Sequence, residues 1–412
     1  MVIDTSKFIR NLGYTFVLIF YIKTFITEIV DIPHFYTIST IVVMVPCFFI
    51  LYSYSLCKCL PKFFVYTLLF HFVFVIFTIS NPSQIPFAIA RLIRISSFVL
   101  LLEYLYSVYN DDFIEIIMFF TEVLNYANLL SMILFPNGIH HMLTRGIYEE
   151  IVKTEPGWVR TGDTRVLWLL GHQTGFARYI IPAIIVGIIY SYIHENRAIC
   201  KRSIILYCVC LAELLIANSA TNYLVVTAYF VFIILLRFNI KIKVGFFFPI
   251  YFVFYSLVGL LSDRLRFLEW MSQVMGRTVR ISNRVVIWKN TIDAIIEHPL
   301  LGHGAIDEDS ELIRQMLGLG NPHSQFLWVL FEAGIFGLSA WYLYMKRVER
   351  NYSQITGSNS ISIMIYAGVL STMVAMLSDD YLFRNPYTLL LFFFCYHCPE
   401  IGQRIMGSEI NE

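Results

Sequence analysis

Residues 282–304 read SNRVVIWKNTIDAIIEHPLLGHG, and after a polar loop residues 321–337 read NPHSQFLWVLFEAGIFG. Val285, Trp288, Ile292 and Ile295 recur at spacings of 3, 4 and 3, so they form one apolar stripe on one helical face. Ser282 or Asn283 is placed to cap the start of this helix, 283–298, and Pro299 to end it. A helix of this kind lies on a membrane surface, with Trp288 at headgroup level. Arg284 stands at its start. Gly302 and Gly304 flank His303 in a tight turn, and Asn321-Pro322-His323-Ser324 places His323 just outside the next apolar run. An Arg and a His are thus expected at one membrane–water interface, where anionic headgroups lie.

Composition settles the class. The chain has 412 residues, of which 58% are hydrophobic and 14% charged, with a mean hydropathy of +0.67. A soluble globular protein carries about 25% charged residues. The chain therefore reads as one polytopic, all-α integral membrane domain, 1–412. The net charge of +1 gives no sign of a nucleic-acid partner. The eight Cys avoid both long loops, so no disulfide-stapled outer domain is expected. Cys395-Tyr-His-Cys398 is a single C-x-x-C in an apolar run and is not read as a metal site. The first apolar run contains Lys23 and no clear cleavage site, so it reads as a retained helix.

About 12 transmembrane helices are expected, at approximately 11–28, 35–55, 63–80, 86–108, 113–135, 176–193, 203–218, 222–239, 244–261, 325–345, 361–377 and 386–398. Lys7 and Arg10, Lys58 and Lys62, Arg197 to Arg202, Arg237 to Lys243, and Lys346 to Arg350 all fall on one side of that scheme. By the positive-inside rule this side is cytoplasmic, and both termini share it. A first loop, 136–175, and a second, 262–324, then face outward.

Ionisable residues inside spans mark function or a buried partner. Arg91 and Arg94 share one helix face near the outer end of their span. They read either as a phosphate clamp or as a pair satisfied by Glu103, Glu122 or backbone carbonyls. Glu213 and His71 read as structural hydrogen-bonders. Asp379-Asp380 closes a span at the outer face, to orient a hydroxyl, to pair with a loop Arg, or simply as a solvated helix end. Asp307-Glu308-Asp309 fits a helix N-terminus, and no metal or other cofactor is implied.

The order Arg284, Trp288, Pro299-Leu-Leu-Gly-x-Gly304, His323 and then Glu332-x-Gly-x-x-Gly337 resembles the O-antigen polymerase/ligase superfamily, and within it a Wzy-type repeat-unit polymerase. Asn283 and Ser324 depart from the family's usual Gly and Asn. The run Leu134-Phe-Pro-Asn-Gly138, with Leu170-Gly171-His172 before span six, is similar to Gram-positive members making capsular or exopolysaccharide chains. Asn218-Ser-Ala-Thr221 resembles the short Ser/Thr patch the family has at an outer turn. The resemblance implies a GT-C-like glycosyltransferase membrane fold in the bacterial cytoplasmic (inner) membrane. It implies polyprenyl-diphosphate-linked oligosaccharides as donor and acceptor, and a chain-length regulator and a flippase as further partners.

The chemistry this implies needs charge stabilisation as the diphosphate departs. Arginine supplies it through a planar, permanently charged fork. Arg284 is the first candidate, Arg165 and Arg178 flank the first-loop motif, and Arg91 and Arg94 come third. His323 titrates in the range for a general base, with phosphate ligand as its competing role. A glycan ligase of the same superfamily and a lipid-oligosaccharide flippase or transporter are the alternative readings. Transporters of that kind carry internal repeats and midplane charges, whereas here the polar residues gather at one face.

Overall fold

The structure is a computed structural model, and it describes residues 44, 47, 48, 50, 51, 60–136, 167–172, 175–195, 197, 199–261, 280–307, 313, 316, 317, 322–353, 360–379 and 386–409. The described elements are helices α1 (Lys62–Phe77), α2 (Ile85–Leu134), α3 (Ala177–Glu195), α4 (Lys201–Ala217), α5 (Ala220–Arg237), α6 (Phe247–Leu261), α7 (Arg280–Glu297), α8 (Gln325–Ser353), α9 (Ser360–Ala375), α10 (Pro386–Tyr396) and α11 (Cys398–Glu409). The one departure from the all-helical expectation among them is a minimal antiparallel hairpin, β1 (Leu167–Trp168) with β2 (Gly171–His172).

Among the described residues six helices are long and apolar enough to cross a membrane: Lys62–Ser80, Pro82–Tyr109, Asp112–Leu134, Ala177–Glu195, Ala220–Arg237 and Gln325–Tyr352. Pro82–Tyr109 and Asp112–Leu134 follow one another along α2. A straight helix of its 50 residues would measure about 75 Å, more than twice a hydrocarbon core. Val244–Leu260, Ser360–Ala375 and Pro386–Tyr396 are apolar but shorter. The expected span 203–218 is α4, which opens on Lys201 and Arg202 and buries Glu213. The expected span 11–28 lies outside the described residues, and 35–55 is described at only a few positions.

Burial follows from the pattern of each helix. α9 and α10 are apolar on every side, and nearly all their residues are buried, so they form the centre of the bundle. α5 packs on α9 with one face and leaves Leu224, Phe230, Val231 and Ile234 exposed for lipid. α4 stops at Asn218, which adopts the left-handed conformation (φ 40°) that asparagine tolerates at a helix end.

The bundle has two distinct ends. At one, the Ala305 N–H donates to Thr78 Oγ1 (2.7 Å) and the Asp307 N–H to Gln84 Oε1 (3.1 Å). These bonds bind the segment after α7 to the turn at Asn81. At the other, Asn351 Nδ2 donates to the Tyr396 carbonyl (2.6 Å), and Arg347 lies over the Tyr66 ring.

Candidate active site

The two glycine motifs of the chain are one device in space. α8 breaks at Gly334, whose backbone is non-helical (φ 55°, ψ −153°). Two carbonyls before the break are taken up by the turn after α7. The His303 N–H donates to the Phe331 carbonyl (2.8 Å) and the Gly304 N–H to the Glu332 carbonyl (2.9 Å). Beyond the break, the Ile335 N–H donates to the Pro299 carbonyl (2.9 Å). Irregular backbone of this kind survives in a membrane protein where protein partners satisfy it. The contact also requires glycine. A Cβ at Gly334 would strike the Leu300 carbonyl, and one at Gly302 (φ 69°) would strike the Glu332 backbone. The His303 ring closes this clasp. It stacks on Phe331 (centroids 4.8 Å apart), and its Nε2 bonds the Ala294 carbonyl (2.9 Å). Burial holds the His303 pKa below the ordinary histidine range, opposed by the Ala294 bond.

His323 lies two residues before α8, at the end of its upper segment away from the clasp, in the left-handed conformation (φ 46°) and partly exposed. Its neighbours on both sides are fixed. The Pro322 carbonyl accepts the indole N–H of Trp288 (2.8 Å). Ser324 is buried and caps α8, its Oγ accepting from the Leu327 N–H (3.3 Å). Serine and asparagine are both good N-caps, which is a physical reason for Ser324 to stand where the family has Asn. The Gln325 N–H reaches the Asp379 carbonyl (3.1 Å), and the Asp379 carboxylate lies 3.9 Å from the Arg178 guanidinium. Arg178 Nε donates to the Gly175 carbonyl (3.0 Å). The structure thus bonds the start of α8, two residues after His323, to Asp379, and of the readings offered for Asp379 it shows the ion pair with an arginine, Arg178.

Arg284 lies on α7, one turn before Trp288, and its side chain is outside the described residues, as is Arg165. α7 begins at Arg280, so Ser282 and Asn283 fall inside the helix and do not cap it. Trp288 faces protein and not lipid headgroups. It is 9% exposed, with its ring edge-on to Phe254 and Tyr255, because the apolar face of α7 packs on α6 and α8. The Tyr255 hydroxyl donates to the Leu377 carbonyl, and that of Tyr251 to Met373 one turn earlier. Tyr255 therefore connects α6, α7 and the helix that leads to Asp379.

The partner expected for Arg91 is corrected. Arg91 pairs with Glu332 through both terminal nitrogens, at 2.8 and 2.7 Å. Glu122 is held by Arg202 and Glu103 lies 3.2 Å from His397. Arg94, one turn beyond Arg91, is partly exposed. Sequence reading overlooked Glu332 as the partner of Arg91, although a carboxylate in an apolar run is itself a signal that a cation faces it. It also overlooked Asn128, whose Nδ2 donates to Glu213 (2.7 Å) while its Oδ1 accepts the Leu170 N–H (2.9 Å). With the Trp168 indole donating to the Phe135 carbonyl (2.8 Å), this fixes the hairpin two residues after Arg165. Among the described residues, no three His, Cys, Asp or Glu side chains come together as a metal-binding group.

No curated protein and no solved structure matches this chain. Residues 204–342, about a third of its length, match the family model described as O-antigen ligase. That segment begins in α4 and includes the whole of α7, the glycine clasp, His323 and the upper part of α8. Over this central segment the chain is similar to the O-antigen ligase family, in line with the resemblance carried by its Arg284-to-Gly337 motifs.

Proposed function

We propose that the protein is a repeat-unit polymerase, joining polyprenyl-diphosphate-linked oligosaccharides on the outer face of the bacterial cytoplasmic membrane, with both termini cytoplasmic. The observation that carries this reading is the convergence at one end of the bundle. Trp288, on the helix bearing Arg284, bonds the residue before His323, and the helix that follows His323 bonds Asp379, which pairs with Arg178; Arg284 and His323 lie inside the segment that matches the family.

In the proposed reaction the donor's anomeric C–O bond to phosphate breaks, and a hydroxyl oxygen of the acceptor repeat unit forms the new glycosidic bond. The lipid diphosphate leaves with the bonding electrons, and Arg284, Arg165 and Arg178 stabilise its charge. His323 takes the hydroxyl proton. Asp379 holds Arg178 and orients the acceptor. Arg91 drops out of the diphosphate-binding set because both its terminal nitrogens are on Glu332. Arg94 is the remaining candidate of that pair.

The test is the purified protein in lipid vesicles with one lipid-linked repeat unit as sole substrate, in the presence of chelator. A ladder of lipid-linked products is expected. Product formed only when a chemically different acceptor is supplied would make the protein a ligase. Movement of the substrate across the vesicle bilayer without new bonds would make it a transporter.

A further inference from the structure

We infer that the buried Arg91–Glu332 pair is a positioning device that holds the two arms of the active site in register, an inference that rests on the site proposed above. Arg91 and Glu332 are 5% and 0% exposed, and the guanidinium lies 5.3 Å from the Phe74 ring centroid. Glu332 does more than bind Arg91. Its Oε1 accepts the Ile306 N–H (3.3 Å) and its carbonyl accepts the Gly304 N–H (2.9 Å). One residue therefore grips the clasp turn by backbone and side chain, and Arg91 fixes that residue to α2.

The two arms meet at this point. Arg284 is carried by α7, which runs into the clasp through His298 and Pro299. His323 is carried by the short upper segment of α8, Gln325 to Ala333, which enters the clasp through Phe331 and Glu332. A shift of the clasp changes the distance between the arms. A buried ion pair adds little net stability over well-packed apolar side chains. A bidentate pair does fix both distance and angle, which a sliding apolar contact does not.

The test compares Arg91→Met, Glu332→Met and the double variant. Each single variant leaves a buried charge unpaired, and its membrane level falls. The double variant recovers the parental level, with the donor KM near the parental value and kcat lower by about 10²-fold, the cost of roughly 1 Å of misplacement. Spin labels at Val286→Cys on α7, an exposed position, and Leu330→Cys on the upper segment of α8, a partly exposed one, in a background without native cysteines read the geometry without activity. Their distance distribution is narrow in the parent and broad in the double variant. An unchanged distribution with parental kcat would reduce the pair to a dispensable structural contact and overturn the inference. A raised donor KM with unchanged distances would return Arg91 to the substrate site and also overturn it. If the parent makes no polymer at all, the proposed function fails, and the distance distributions alone decide the inference.

Discussion

The indole N–H of Trp288 donates to the carbonyl of Pro322 at 2.8 Å, and this one bond ties the amphipathic helix to the residue before His323. It joins residues 34 positions apart, and the first candidate arginine lies one turn away from it on the same helix. Trp288→Phe would keep an aromatic ring against Tyr255 and Phe254 and lose the bond. A neutral hydrogen bond is worth about 1 kcal/mol net, so the protein is expected to insert normally and to lose about tenfold in turnover or less. Initial rates from purified protein, with membrane level as control, measure this.

The break in α8 makes a second expectation. Gly334→Ala places a methyl against the Leu300 carbonyl in a backbone region that is nearly glycine-only. Such strain costs about 1–3 kcal/mol, and the clash adds to it. The membrane level of Gly334→Ala is expected to fall well below that of Gly259→Ala in α6, whose added methyl would meet the Ile292 side chain at an ordinary contact distance of 3.6 Å. Equal levels would mean that the clasp bears little load.

His303 gives the clasp a pH dependence. Its pKa is lowered in the fold by burial, so the folded protein favours the neutral ring. Between the folded and unfolded pKa the unfolded chain binds more protons, so stability is complete above the unfolded value of about 6.5 and falls as the pH drops below it. His303→Gln keeps an N–H for the Ala294 carbonyl and does not titrate. Melting in detergent at pH 7.5 and 5.5 should show a larger drop for the parent than for His303→Gln.

The orientation is testable on living cells. Single cysteines at Gly138 and Ser310 are expected to react with an impermeant thiol reagent in intact spheroplasts. Cysteines at Lys201 and Arg347 are expected to react only after permeabilisation. A protected Ser310 beside a reactive Arg347 would reverse both the orientation and the side on which the site lies.

Much of this site is legible in the sequence because its parts stand next to one another. Trp288, the Pro299–Gly304 turn, His323 and Glu332–Gly337 follow within one stretch, and the helical period predicts α7 within a few residues. The partners are less legible. Periodicity says that Trp288 faces something apolar, and it does not distinguish a lipid headgroup from Tyr255 on another helix. Glu332 and Arg91 are 241 positions apart, and nothing in local pattern selects that pairing over Glu103 or Glu122. The break at Gly334 is hidden for a related reason. Glycine in an apolar run is compatible with close helix packing as well as with a broken helix, and only the Pro299–Gly304 turn seated against it decides.

The active-site assignment stands or falls on Arg284 and His323. If Arg284 stabilises the departing diphosphate through paired hydrogen bonds, Lys is a poor replacement despite equal charge, because it offers a point charge and no planar fork. If His323 is the base, Ala there lowers kcat more than donor binding, by about 10²–10⁴-fold. His323 is partly exposed at a helix start, and Arg284 lies in the first turns of α7, so both variants are expected to insert. Cells carrying Arg284→Lys, Arg284→Ala or His323→Ala should hold single repeat units, and cells carrying Arg350→Ala should hold long polymer, at matched membrane levels. Long polymer from both Arg284→Ala and His323→Ala would sink this assignment and shift the chemistry to Arg178 and Asp379, which the structure pairs.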